Sequence, residues 1–140
     1  MAVRFSASGQ TYSRSLSAGS LTQFSITGWA KIVTSKNDYT DFWSISSGIG
    51  DYLIVGTGPD GLAMVVVNEN FEIDLATATV GTWYYIGVTV NGTSVTVVHK
   101  SASAANPTVT TGTLSGAQVN AATLHIGNSP FADWFNGSVA

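Results

Sequence analysis

The run IGVTVNGTSVTVV, residues 86–98, restricts the fold more than any other stretch of the chain. Ile86, Val88 and Val90 alternate with small or polar residues, Val95 and Val97 do the same, and Asn91-Gly92 stands between the two series. Side chains in a strand alternate between faces, so each series predicts a half-buried strand. Asn-Gly between them predicts a two-residue hairpin of type I′, with positive φ at both Asn91 and Gly92. Similar β-branched and aromatic runs recur along the chain between clusters of Gly, Asn, Asp, Pro and Ser. They predict strands near 2–6, 11–15, 22–34, 41–47, 50–57, 62–67, 71–76, 82–91, 94–100, 107–111, 122–127 and 136–140. TGPDGLA and SSGIGDY read as turns. Residues 101–120 are polar and predict a long connection holding one edge strand, a position that suits Pro107. No window places apolar residues at helical spacing among good helix formers. The chain is therefore all-β, an antiparallel two-sheet β-sandwich or a barrel.

At 140 residues it accommodates one domain, with neither an internal repeat nor a linker to divide it. It has no cysteine, so disulfides, thiolate metal sites and cysteine nucleophiles are excluded. Only 9% of residues are charged, against roughly 25% in an average soluble domain. The five basic residues, Arg4, Arg14, Lys31, Lys36 and Lys100, are scattered, and the net charge is −3. Nucleic acid is not an expected partner, because phosphate binding needs a clustered basic face. Solubility falls to Ser, Thr, Asn and Gly, a surface that suits contact with sugars or other protein subunits and also occurs with neither role. No segment approaches 18 apolar residues in a row, so membrane insertion by a helix is not expected. The opening MAVRFSASGQ lacks the apolar run of a secretory signal. Either the chain is used where it is made or a leader has been removed, and the initial Met favours the first.

The residues that bear chemistry are few. Glu72 and Asp74 are two apart in FEIDLAT, hence on one face of a strand, while Ile73 and Leu75 take the core side. His99 and His125 lie on separate strands with no carboxylate at ligand spacing, and His99 is expected at a solvent-facing or cross-strand position. Serines are abundant, but none sits in a nucleophile elbow. GTGPDG lacks the Lys and following helix of a phosphate loop. Asn37, Asp38 and Asp41 in SKNDYTDF, with Asp51 after the next turn, are the one place with enough oxygens for calcium; loop capping is the alternative. Trp43 alternates with Ile45 and is expected in the core. Tyr39, Phe131 and Trp134 stand in the turn-rich stretches KNDYTD and NSPFADWF. They are the candidate contacts for a glycan or a protein partner, with capping the end of the sandwich as the alternative.

Four motifs, AVRFSASGQTYSRS, FSITGWAKI, GTWYYIGVTVNG and TLHIGNSPFADWFNGSVA, occur in the order of the LamG-like jelly rolls of the concanavalin A-like lectin and glucanase superfamily, which the chain resembles over nearly its whole length. The opening also resembles LamG-like proteins of actinobacterial tailed phages and prophages. The resemblance implies a concanavalin A-like jelly roll spanning 1–140, with Phe5, Phe24, Trp29, Trp83 and Tyr85 packing its interior, and alternation in their strands is read as agreeing with that placement. The glucanase branch carries Glu-x-Asp-x-Glu or the same with one inserted residue. Here the strand runs Glu72-Ile73-Asp74-Leu75-Ala76-Thr77, so the last acid is missing and no enzyme is expected. Relatives also continue past FNGSVA with the rest of a strand, which leaves three alternatives: a truncated sequence, a short strand that suffices, or a strand supplied by another chain.

Two function classes follow from this reading. One is a non-catalytic structural or interaction module, such as a decoration or appendage protein on a phage particle. It would be displayed on the virion surface, with protein subunits (a homo-oligomer among them) as partners. The other is a carbohydrate-binding, lectin-like module, secreted or on the virion. Neither needs a cofactor; calcium is the one metal with candidate ligands.

Overall fold

The computed structural model of the chain describes residues 2–7, 10–16, 20–21, 23–35, 38–48, 51–60, 62–68, 71–114, 119–120, 123–127 and 135–140. Two antiparallel six-stranded sheets face one another as a jelly roll. The first sheet holds β1 (Val3–Phe5), β14 (Gly137–Val139), β4 (Gln23–Ile32), β9 (Trp83–Asn91), β10 (Ser94–Ser101) and β11 (Thr108–Thr113), in that order. The second holds β2 (Tyr12–Ser15), β13 (Thr123–Ile126), β5 (Thr40–Gly48), β6 (Asp51–Thr57), β7 (Ala63–Asn68) and β8 (Phe71–Thr77). A two-stranded ribbon of β3 (Ser20–Leu21) and β12 (Val119–Asn120) lies against β5 and β6. These two short strands had no signal in the sequence. The other twelve lie where alternation placed them, and β11 is an edge strand that begins just after Pro107.

The core is the product of that alternation. In β9 and β10 the inward residues are Ile86, Val88, Val90, Val95 and Val97, all buried. From the second sheet come Trp43, Ile45, Leu53, Val55, Met64, Val66 and Ile73. At one end Phe135 packs edge-on against Phe42 at 5.0 Å and tilted against Phe5 at 6.3 Å. Each such ring adds a large apolar area to the interior, and the edge-to-face geometry adds a little more.

Three local expectations change. The hairpin turn sits one residue later than predicted, because Asn91 pairs with Ser94 and leaves Gly92-Thr93 as the loop. Gly92 has φ of +60° and no non-glycine residue among those described has positive φ, which is the pattern of a type II′ turn rather than I′. Asn91 stays in the ladder, where its Oδ1 accepts a hydrogen bond from Gln23 Nε2 at 2.8 Å. His99 faces inward and is buried, so it is not solvent-facing; burial alone lowers its pKa. Its position follows from the period of two that already carries Val95 and Val97 inward.

The third change concerns the aromatics. Phe5 is in the core and Phe24 packs against it, but Trp29, Trp83 and Tyr85 are absent from the core and lie, half-buried, on the outer face of the first sheet. The register decides this. Ile86, Val88 and Val90 fix the even positions of β9 as inward, so Tyr84 turns in and its two aromatic neighbours turn out. In β4, Ala30 and Ile32 are buried and Phe24 and Ile26 pack against the core, which puts Trp29 outside.

Candidate functional site

Among the described residues, two places set aromatic side chains beside charged ones at the surface. The first is the edge of the second sheet where the sequence placed Tyr39. Tyr39 immediately precedes β5, and its hydroxyl donates to Glu72 Oε2 at 3.1 Å, across to β8. That hydrogen bond raises the tyrosine pKa, with smaller contributions from desolvation and from the negative charges of Glu72, Asp74 and Asp38. Asp38 is exposed and accepts the backbone N–H of Tyr39 at 2.8 Å. Ile73 is buried and Leu75 packs against the core, so Glu72 and Asp74 point outward as the sequence predicted.

Of the proposed calcium ligands Asn37, Asp38, Asp41 and Asp51, only the Asp38 and Asp41 side chains can be placed. Asp38 is at the surface, whereas Asp41 is fully buried at the start of β5, beside a bulge. Asp51 opens β6, and its side chain falls outside the described set, as does Asn37 altogether. Among the described residues no three His, Asp or Glu side chains stand close enough to hold a metal ion. Phe131 and Trp134 also lie outside the described residues. Of the three aromatic contacts that the sequence proposed, Tyr39 alone can be placed.

Ser44 and His125 are cross-strand partners in the second sheet, on the face away from the core. Ser44 Oγ is buried with no hydrogen-bond partner among the described residues. A serine nucleophile needs its base within hydrogen-bond reach; here the pair shares a row of the sheet and is not joined.

The second place is the outer face of the first sheet, which the sequence reading missed. Trp29 and Tyr85 are register partners, their rings edge to face at 5.6 Å. One row along, Lys31 is opposite Trp83, with its ammonium 5.0 Å from the indole centroid. Lys100 stands opposite Tyr85 on the other side. A shallow hollow of about 290 Å³ lies between Trp29, Trp83, Ala102 and Ala140. Two indoles and a phenol on the solvent side of a sheet are an uncommon use of large apolar area, because exposed aromatic clusters mark contact surfaces more often than they occur by chance. The signal was present in the sequence as the parity of Trp29, Trp83 and Tyr85 relative to the valines.

No family model matches the sequence, and no curated protein matches it. Solved structures do match in fold. The chain is similar to part of the LG1–3 region of the laminin alpha2 chain, with a TM-score of 0.61 at 12% identity, over 86% of this chain and 25% of that one. It is similar to domain 4 of AbnA, a GH43 extracellular arabinanase from Geobacillus stearothermophilus solved in complex with arabinotriose, with a TM-score of 0.61 at 14% identity, over 88% of this chain and 59% of that one. The enzymatically active domain of tailspike protein 2 from bacteriophage CBA120 gives a TM-score of 0.65 at 13% identity, over 93% of this chain and 23% of that one. The chain thus spans between about a quarter and three fifths of the proteins it matches. At such identities the likeness is one of fold alone, an antiparallel β-sandwich jelly roll.

Proposed function

We propose that this protein is a non-catalytic recognition module that holds a glycan against the aromatic face of its first sheet. The observation that carries the reading is the solvent-side cluster of Trp29, Trp83 and Tyr85, braced by Lys31 over Trp83. An indole offers a flat apolar surface for the C–H face of a sugar ring, and its fixed orientation limits the entropy lost on binding. Flanking Lys31 and Lys100 supply donors for hydroxyl or carboxylate groups at the rim. The arabinanase domain, a protein of the same fold, was solved with a trisaccharide bound, which makes a glycan the natural first ligand to test. Trp83→Ala removes the indole without opening the core. On a glycan array it should lose at least about tenfold in affinity for whichever glycan the unaltered protein retains, as expected for a buried aromatic contact of about 1.5–2 kcal/mol. Its melting temperature should change by no more than a few degrees. Equal binding by the variant, or no glycan retained by the unaltered protein, would remove this reading.

A second reading is a decoration or appendage subunit on a phage particle. It draws on the tailspike neighbour, on the low charge, and on the resemblance of the opening sequence to actinobacterial phage proteins. It expects self-association. Light scattering across a hundredfold range of concentration would show a closed oligomer or larger assembly, and a monomer throughout would count against it.

A further inference from the structure

The six strands of the first sheet hold no Asp or Glu, whereas Arg4, Lys31 and Lys100 are three of the five basic residues in the chain. All three turn to the outer face. Lys31 alternates with the buried Ala30 and Ile32, Lys100 with the buried His99, and Arg4 with the buried Phe5. The register then gathers them around the aromatic cluster. Arg4, Ser138, Lys31 and Trp83 form one row across β1, β14, β4 and β9. Lys100 stands opposite Tyr85, which makes it the diagonal neighbour of Trp83 on the other side. Lys31 thus flanks the indole from β4 and Lys100 from β10.

The described acids are elsewhere. Asp38, Asp41, Asp60, Glu72 and Asp74 stand on the second sheet or in the segments next to its strands. Glu72 and Asp74 point away from the core, so the full thickness of the sandwich separates them from the aromatic face. Packed sheets lie roughly 10 Å apart and the Debye length at physiological salt is about 8 Å, so these charges are largely screened there. The net charge of −3 therefore misdescribes this face, which is cationic. Solubility does not explain the arrangement, since the same three charges scattered over both sheets would serve it as well. Placed around half-buried indoles, they attract an anion to a spot where apolar ring surface lies beside it. An ammonium or guanidinium also bonds a carboxylate or sulfate more strongly than a neutral hydroxyl.

We propose that the glycan held on this face is an acidic one, and that Arg4, Lys31 and Lys100 read its carboxylate or sulfate groups while the indoles hold a sugar ring. The inference rests on the glycan reading above and narrows it to one chemical class. Lys31 and Lys100 bracket Trp83, so an acid group on the ring that stacks there meets a cation on either side. Arg4 lies two strand spacings beyond Lys31, roughly 10 Å, and serves an acid group on a neighbouring unit of the chain. A chain of acidic sugars, rather than a single one, therefore uses all three. A neutral glycan would strip water from these cations without supplying a counter-charge, so the face selects against it.

The test is a glycan array carrying neutral, uronic acid and sulfated chains, followed by titration of a retained chain at low and high salt. The expected result is retention of acidic chains, with affinity falling at least about fivefold from about 0.05 M to about 0.5 M sodium chloride. Methyl esterification of a uronate chain, or desulfation of a sulfated one, removes the charge and should weaken binding at least about tenfold. Lys100→Gln and Arg4→Gln should each lose about three- to tenfold and flatten the salt dependence, with melting temperature within a few degrees. Arg14→Gln, on β2 of the second sheet, should change neither. Neutral chains bound as tightly as acidic ones, or equal binding of the uncharged form, would overturn the acidic class and leave the glycan reading standing. Unchanged binding in both Lys100→Gln and Arg4→Gln would overturn the roles given to these residues. An array that retains nothing would remove the glycan reading and this inference together.

Discussion

A methyl group on Gly56 would overlap the carbonyl of Thr40 and crowd Asp41 Cα, because the β5 bulge at Asp41–Trp43 carries that backbone directly over β6. The bulge in turn frees Phe42 to join Phe135 in the core and is pinned by a buried 2.7 Å hydrogen bond between the Thr40 and Thr57 hydroxyls. Gly56→Ala should therefore cost about 2–3 kcal/mol in urea unfolding, since backbone rather than a flexible side chain stands in the way. Asp60 illustrates a cheaper use of a residue. Its carboxylate accepts the N–H groups of Ala63 and Leu62, which lower its pKa, Ala63 having the larger effect. The PDG turn was readable from the sequence, whereas the need for glycine at 56 was not, because the strand that crowds it is fixed only by pairing.

The β9–β10 hairpin shows the same division at the level of elements. Alternation located both strands to within a residue, yet the turn belongs to Gly92-Thr93 and not to Asn91-Gly92. The ladder decides the frame: Val90 opposite Val95 and Val88 opposite Val97 bury all four valines. Shifting the turn would alter those pairs. Gly92→Ala should then destabilise by about 1–2 kcal/mol, the cost of left-handed backbone for an L-residue. Asn91→Ala, which loses only the hydrogen bond from Gln23, should cost less than 1 kcal/mol. Unfolding curves with the opposite order would place the turn back at Asn91-Gly92. The sheet faces carry a similar lesson. Motif likeness and a reading of alternation strand by strand both put Trp29, Trp83 and Tyr85 inside, whereas the register set by the buried valines puts them outside.

Across the whole molecule the low charge leaves few groups to make stability depend on pH, and the two histidines dominate the range near neutrality. Burial lowers the pKa of both His99 and His125 below the ordinary 6.5. The unfolded chain then holds more protons than the folded one as pH falls below about 6.5, so stability is full above that value and declines beneath it. The slope for each histidine is at most about 1.4 kcal/mol per pH unit. Melting temperature should be flat from pH 8 to 7 and fall between 6.5 and 5, and His99→Gln should flatten part of that slope. A profile that rises on acidification would contradict the buried placement of His99. Asp60 acts lower: its stabilisation is present above the usual 3.8 and is lost as pH drops through its depressed folded value.

The sequence by itself determined that the chain is all-β, where twelve of its strands lie, and that Ile86, Val88 and Val90 share one face of β9 and Val95 and Val97 one face of β10, because side-chain alternation is a local property of an extended backbone. It also determined that Glu72 and Asp74 point away from the core beside the inward Ile73. Only the tertiary structure decided that β3 and β12 form a ribbon over the second sheet, since strands of two residues leave no periodicity to detect. It alone joined Tyr39 to Glu72 across 33 positions and set Trp29 beside Tyr85 and Lys31 beside Trp83. Each of those depends on which strands become neighbours, and hydrogen bonds between strands distant in sequence are set by the packing of the whole core.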